Sequence, residues 1–305
     1  MKKRRIFALV AVVSFSFAAL FAKNIADKSE DDEYTESSTE SMIKNKIESE
    51  ISVEENYQRL MALLEMPNGL SDVEKTMIPI PEKNYSMLAV EVTQKLYYSV
   101  IGKNPSKFSN ELGPVEKVSW LDAIDFCDAL SEQQGLKKCY SNRRMFYYNL
   151  NTDKVVNKIA YKRDSRKKIE DRCVVKCYEV DCDFEADGYR LPTVEEWQYA
   201  AKAGEDYIYS GSDNLDEVGW YNKNSGKKTH LVAQKKPNAY GFYDMCGNVS
   251  EWAWDHKGRY WVCFCGGSWD DYPQFCKASS YGISNPNNND KRFGLRIVRT
   301  TLNNE

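Results

Sequence analysis

Histidine is nearly absent. The 305-residue chain has only His230 and His256, which excludes a His-rich metal centre of the zinc-enzyme kind. An excess of one charge is missing too. Lys and Arg total 42 against 45 Asp and Glu, with a pI near 5.7. That balance argues against a general nucleic-acid binder. Nine prolines and 16 glycines are too few for a collagen-like or low-complexity chain. Beyond residue 22 no apolar run approaches the roughly 20 residues of a membrane span, and no internal repeat is visible. Aromatics (13%) and hydrophobic residues in all (42%) are plentiful. The chain can therefore bury a core as one large domain or two ordinary ones. Nine cysteines is a high count and an odd one, so at least one cannot join an internal disulfide.

The N-terminus reads as an export signal over residues 1–22. Lys2, Lys3, Arg4 and Arg5 precede an apolar run from Ile6 to Ala22, and Ala18, Ala19 and Ala22 are small enough for a peptidase, with cleavage after Ala22. The alternative is an uncleaved anchor, the one membrane contact expected, although the run sits at the short edge for a span. No Cys lies near the cleavage point, which argues against a lipid on the new N-terminus. Export places the protein in the periplasm, at the cell surface or outside, where disulfides are permitted.

Residues 23–76 read as an acidic linker, solvated over 23–45. A short amphipathic helix is expected within 46–65, from Ile47, Ile51, Leu60, Leu63 and Leu64. From residue 77 to 300 the texture is that of one domain. Ser119 and Asp122 form an N-cap pair before Ala123, Ile124, Cys127 and Leu130, and Gly135 closes that helix. Thr193 and Glu196 form a capping box before Trp197, Ala200 and Ala201, and Gly204 stops it. Beyond 204 helical periodicity fades into short pieces such as Tyr260–Val262 and Leu295–Val298, expected as strands. The class expected is α+β, with two main helices, short strands and much irregular loop.

A series of short motifs then runs in order. It comprises Glu91-Val92-Thr93-Gln94, Gly102 to Ser106, Pro114 to Trp120, Gly188 to Thr193 with Glu196-Trp197, and Asn238 to Met245. Gly247-Asn248-Val249-Ser250-Glu251-Trp252, Gly266-Gly267-Ser268-Trp269 and Phe293 to Arg296 complete it. Together they resemble the formylglycine-generating enzyme (sulfatase-modifying factor) family over about 78–299. The resemblance implies an irregular C-type-lectin-like fold. Ile78 to Asn84 replaces the family's Gly-rich opening strand, so the first strand pair is expected to differ. Residues 142–184 read as an insertion, a surface loop stapled by one disulfide among Cys173, Cys177 and Cys182.

The resemblance also implies ions. Asp244, Gly247, Val249 and Glu251 match positions that bind structural calcium through two side chains and two carbonyls, a donor set suited to a hard cation. The catalytic family members use two Cys that follow the Gly-Gly-Ser segment and hold Cu(I), a soft ion that favours thiolates. Here those positions carry Asp271 and Cys276. A carboxylate does not replace a thiolate for Cu(I), so copper is not expected. Cys276 reads as a buried thiol, or as the partner of Cys246 or Cys263 in a disulfide.

The stretch 260–292 resembles the variable region of proteins diversified by retroelements. Leftover Asn surrounds Pro286, and Asp270, Asp271, Tyr272, Phe275, Tyr281, Gly282, Ile283 and Ser284 are residues reachable by adenine changes in Asn codons. Together with Phe264 these form the expected ligand-binding surface, with aromatic anchors and adaptable polar neighbours. The expected function is a non-catalytic, exported binder of an unknown protein or surface ligand, not of nucleic acid. The alternative is an oxidase acting on a Cys of a sulfatase-type substrate, with Cys276 and Ser268 as its residues.

Overall fold

The computed structural model describes residues 55, 57–62, 73–149, 154–156, 174–257 and 260–301. The leader 1–22, the solvated stretch 23–45, the basic run 161–168 and Cys173 lie outside them. Among the described residues no helix is long and apolar enough to cross a membrane. The chain divides into two compact units, Met1–Met61 and Ala62–Glu305. Residues 57–62 are helical, inside the expected 46–65. The second unit holds the sheets and the longer helices.

Strands β1 (Met77–Pro79) and β2 (Tyr85–Leu88) lead into helices α1 (Gln94–Ile101) and α2 (Trp120–Gln133). Strands β3 (Tyr140–Asn149), β4 (Lys154–Val156) and β5 (Val174–Cys182) come next, and β6 (Tyr189–Arg190) precedes α3 (Val194–Lys202) and the one-turn α4 (Leu215–Val218). The remainder is strand and loop: β7 (Gly219–Trp220), β8 (Cys246–Gly247), β9 (Ser250–Lys257), β10 (Trp261–Cys265), β11 (Tyr281–Ser284), β12 (Phe293–Gly294) and β13 (Val298–Thr300). Among the described residues the strands form four sheets, ordered β1-β2-β13-β6, β11-β10-β9-β12, β4-β3-β5 and β7-β8. The last strand, β13, sits between β2 and β6, so the end of the domain closes the sheet its start begins.

Both expected capping boxes form. The Ser119 hydroxyl accepts the Asp122 N–H while Asp122 accepts the Ser119 N–H, and Thr193 and Glu196 do the same. Each box satisfies two otherwise orphaned amides. Helix α3 ends one residue earlier than Gly204 implies, because Ala203 itself takes the left-handed conformation at φ 49°. Helix α1 is additional to the two expected. Its cues are short: Thr93 accepts the Leu96 N–H, and Gly102 ends it at φ 77°.

Two apolar layers flank β2. Leu88 joins Trp120, Ile124, Phe126 and Leu130 of α2 with Trp252 and Phe293. Its neighbour Met87 faces the other way, toward Trp197, Ala200 and Ala201 of α3 and Cys263 and Cys265 of β10. Successive strand residues point to opposite faces, which explains why all four residues of β2 are buried. Each fully buried large side chain contributes roughly 1.5–3 kcal/mol over its exposed state.

The described part of the insertion carries strands where a loop was expected. Strands β3 and β5 pair antiparallel from Tyr140↔Cys182 to Asn149↔Val174, a ribbon among the described residues. Cys182 is a free thiol and Cys177 is buried, while Cys173 lies outside the described residues. Tyr, Phe, Met and Val in these segments favour a pleated surface, while the charges between them hide the pattern in the sequence. At its base Arg143 pairs with Asp125 and Asp128 of α2. The altered opening still makes a strand pair, Met77↔Leu88 to Pro79↔Ser86.

Candidate ligand-binding face

The loop after β10 begins with Gly266 and Gly267, at φ 86° and 68°. A Cβ on Gly267 would lie 2.8 Å from Cys276 Sγ, so glycine lets the loop close over that thiol. Asp271 then seals the turn. Its Oδ2 accepts the Ser268 N–H at 2.9 Å and the Ser268 hydroxyl at 2.6 Å, and its own N–H donates to the Ser268 carbonyl at 3.0 Å. At the position where the resemblance puts a copper thiolate, this chain has a turn-closing carboxylate.

Cys276 is fully buried with Cys246, Leu215, Val218 and Tyr221. Burial pushes its thiol pKa up, with Cys246 and Asp271 adding to the effect. A thiol held neutral is neither a nucleophile nor a Cu(I) ligand. Cys263 and Cys265 belong to the other apolar layer, beneath α3, and burial pushes Cys263 up to about 11. Neither clusters with Cys276. The residues present do not fit a copper site.

Beyond the turn the chain rises to the surface. Asp270 is exposed and Asp271 half-buried. Tyr272 is 61% exposed, Phe275 56%, Tyr281 49% and Ile283 48%. Phe275 rides on the 3-10 turn Pro273–Phe275, and Tyr281 and Ile283 alternate outward along the edge strand β11. Phe264 differs from the other expected anchors. Its ring packs edge-on against Trp252 and Phe293, with centroids at 6.2 and 5.0 Å. It also lies over Gly282, where a Cβ would come within 2.2 Å of the ring. Phe264 and Gly282 therefore support the face from below. The Ser284 hydroxyl is occupied, accepting from Asn288 Nδ2 at 2.9 Å. Trp261, 41% exposed, adds an aromatic that the sequence did not single out; nothing in its strand-like context marks which way it points.

The expected calcium residues lie in the core. Glu251 is 1% exposed, and both its oxygens accept from Arg296 Nε, at 3.1 and 3.0 Å. Trp197 Nε1 donates to Glu251 Oε2 at 2.6 Å. Arg296 also donates to the Leu88 and Tyr243 carbonyls at 2.9 and 2.8 Å. Gly247, at φ 88°, lets the backbone pass Trp220, whose carbonyl would lie 2.1 Å from any Cβ there. The Val249 N–H donates to Glu91 Oε1, and Asn248 Nδ2 to Glu91 Oε2. Asp244 Oδ2 accepts the Ala233 N–H at 2.6 Å, and Oδ1 alone is buried without a partner. Among the described residues no group of three or more His, Cys, Asp or Glu is arranged to hold a metal. Glu251 is thus held by an internal cation, Arg296, and the four residues do not fit the calcium shell the resemblance implies.

Two further buried carboxylates, Glu91 and Asp244, feel the charge of that guanidinium, which itself bonds Glu251. Burial, then Asp244 and Glu251, push the Glu91 carboxyl well above its ordinary range. Burial pushes Asp244 up to about 6, against the opposing pull of the Ala233 N–H and Arg296. Glu91 and Arg296 both stand in the quoted motifs, yet nothing in the spacing pairs residues so far apart in the chain.

The scaffold is an α+β, C-type-lectin-like one whose candidate face sits on loops and an edge strand. Residues 64–301 match the sulfatase-modifying factor enzyme 1-like domain, and the chain belongs to that family. It is 35% identical over 236 residues to the chaperone protein LppX of Paenibacillus barcinonensis, covering 69% of this chain and 78% of that one. Among solved structures it resembles Treponema denticola variable protein 1, with 29% identity and a TM-score of 0.57 over 74% of this chain and 91% of the other. It also resembles CarF, with 28% identity and a TM-score of 0.50 over 71% and 86%.

Proposed function

We propose that this protein is an exported, non-catalytic binding member of the family. It presents the Asp270–Ser284 face to a polypeptide or surface ligand. One observation carries the reading. Asp271 is tied into a turn with Ser268 while Tyr272, Phe275, Tyr281 and Ile283 stand exposed around it. Reactive thiol chemistry has given way to aromatic surface. Large side chains with few rotors on a rigid support suit recognition, because little entropy is lost when they are covered.

The likeness to a variable protein supports diversification of this face, and the relative called a chaperone supports a polypeptide partner. The basic, apolar leader supports export. The oxidase alternative would have to work through Cys276 and Ser268, one buried and protonated, the other hydrogen-bonded to Asp271.

Two measurements test the reading. The full chain, supplied with Cu(I), oxygen and a Cys-containing sulfatase peptide, leaves the peptide mass unchanged. Asp271→Cys is required before any oxidation appears, and turnover by the unmodified protein overturns the non-catalytic assignment. Sequencing the 260–292 coding region across one population finds changes at 270, 272, 275, 281 and 283. Ser268, Trp269 and Cys276 stay constant. Uniform sequence at the exposed positions overturns the diversified face.

A further inference from the structure

Beneath the face two thiols share one apolar cluster. Cys276 ends the 3-10 turn Pro273–Phe275, and Cys246 lies in β8. Both are fully buried among Leu215, Val218 and Tyr221, with Tyr209 packed against the group. The backbone brings the two segments together. The Gly247 N–H donates to the Gly266 carbonyl at 2.8 Å, and the next residue, Gly267, is the one whose Cβ would meet Cys276 Sγ. Cys246 Sγ accepts the N–H of Ser210, the neighbour of Tyr209, at 3.2 Å. Burial, then Cys276 and Cys246, push the Tyr209 phenol pKa up. Among the described residues no other cysteine belongs to this cluster. Cys127 and Cys182 lie in the layer of α2, and Cys263 and Cys265 in that of α3.

A buried free Cys behaves as a small hydrophobe, but two in one cluster of an exported chain meet an oxidising compartment while they fold. We propose that Cys246 and Cys276, both thiols in this structure, are joined by a disulfide that fastens the turn carrying Tyr272 and Phe275 to β8. Its setting rests on the export put forward above, and its pairing on the shared cluster. Oxidation precedes burial, because the folded chain seals both sulfurs and a buried thiol is inert. In the folding chain one cysteine, as its thiolate, attacks the disulfide of a thiol oxidoreductase or of oxidised glutathione and releases one thiolate of that oxidant. The second cysteine, having given up its proton, attacks the mixed disulfide and releases the other. One S–S bond replaces two S–H bonds, and the oxidant takes up two protons and two electrons. The cross-link closes the chain from 246 to 276, which restrains the unfolded state. It gives the exposed positions a fixed base that does not depend on which side chains stand at 272 and 275.

The test is peptide mapping of the full chain, refolded in a mixture of reduced and oxidised glutathione, alkylated in urea without prior reduction, and digested. The expected product is a linked pair of peptides carrying Cys246 and Cys276, two hydrogens lighter than the separate peptides together. Reduction by dithiothreitol in urea before alkylation abolishes it and leaves both cysteines labelled. In Cys246→Ala the Cys276 peptide carries the alkyl label, a readout in urea that does not require the variant to be stable. Alkyl label on both cysteines of the refolded unmodified chain, or a link from Cys276 to any other cysteine, overturns the proposal. The same mapping on chain expressed in a bacterial host with residues 1–22 in place tests the setting separately. The link in the refolded chain but free thiols in the host supports the pairing and counts against export.

Discussion

The buried group Glu91–Asp244–Glu251–Arg296 and the exposed face from Asp270 to Ser284 lie on neighbouring elements of one scaffold and follow opposite rules. In the first, every charge is out of water, and position is set by many simultaneous hydrogen bonds. In the second, large apolar side chains stand in solvent with little to hold them. The buried group contains residues from the motifs that identify the family, and the face contains almost none. Family signature and proposed ligand face thus lie apart. The scaffold can stay constant while the face changes.

The sharpest break of that comparison is Arg296→Met. Removing one partner of a buried ion pair leaves Glu251 uncompensated, a loss of about 3–5 kcal/mol. Chemical denaturation should show the domain largely unfolded, and a stability within about 1 kcal/mol of the unmodified chain, a tolerance drawn from ordinary surface changes, would contradict the role given to the cluster.

A smaller effect is tied to pH. Asp244 has its folded pKa raised to about 6. Between its ordinary range and pH 6 the folded state therefore binds more protons than the unfolded one, so this group's contribution to stability falls as pH rises through that window. Asp244→Asn removes the titration, and asparagine tolerates the φ of 56° found there. Relative to the unmodified chain the variant should gain stability from about pH 4 to about 6.5 and then level off. The full change is on the order of 2–3 kcal/mol. A flat difference across that range would show that Asp244 is ionised in the fold throughout.

The smallest change in stability belongs to the face. Tyr272→Ser with Phe275→Ser should alter stability by no more than about 0.5 kcal/mol each, as exposed substitutions do, while abolishing binding of any partner that docks there. A large drop in melting temperature would mean that these rings are structural.

Much of the scaffold was readable in the chain. Both capping boxes are local, since their partners are three residues apart, and the helices they start formed where expected. The departure from the catalytic pattern was readable as well, because Asp271 for a Cys is a matter of counting. The candidate face was legible by composition and only partly by position. Phe264 looked like Tyr272 and Phe275, but packing turned it inward against Trp252, and Gly282 proved to be the space its ring needs. The surroundings of the expected calcium residues were hidden for a related reason. Asp244 and Glu251 have a suitable spacing, but the nearest cation is Arg296, brought in from 45 residues away.

The sequence by itself determined the family, the helix starts, the scarcity of histidine and the Asp at position 271. These depend on residue type and on neighbours within one or two turns. Only the tertiary structure decided which carboxylate meets Arg296, which aromatics face water, that β3 and β5 pair, and that Cys276 is sealed beneath Gly267. Those outcomes arise from which distant surfaces exclude water from each other, and burial of that kind has no local signature in the chain.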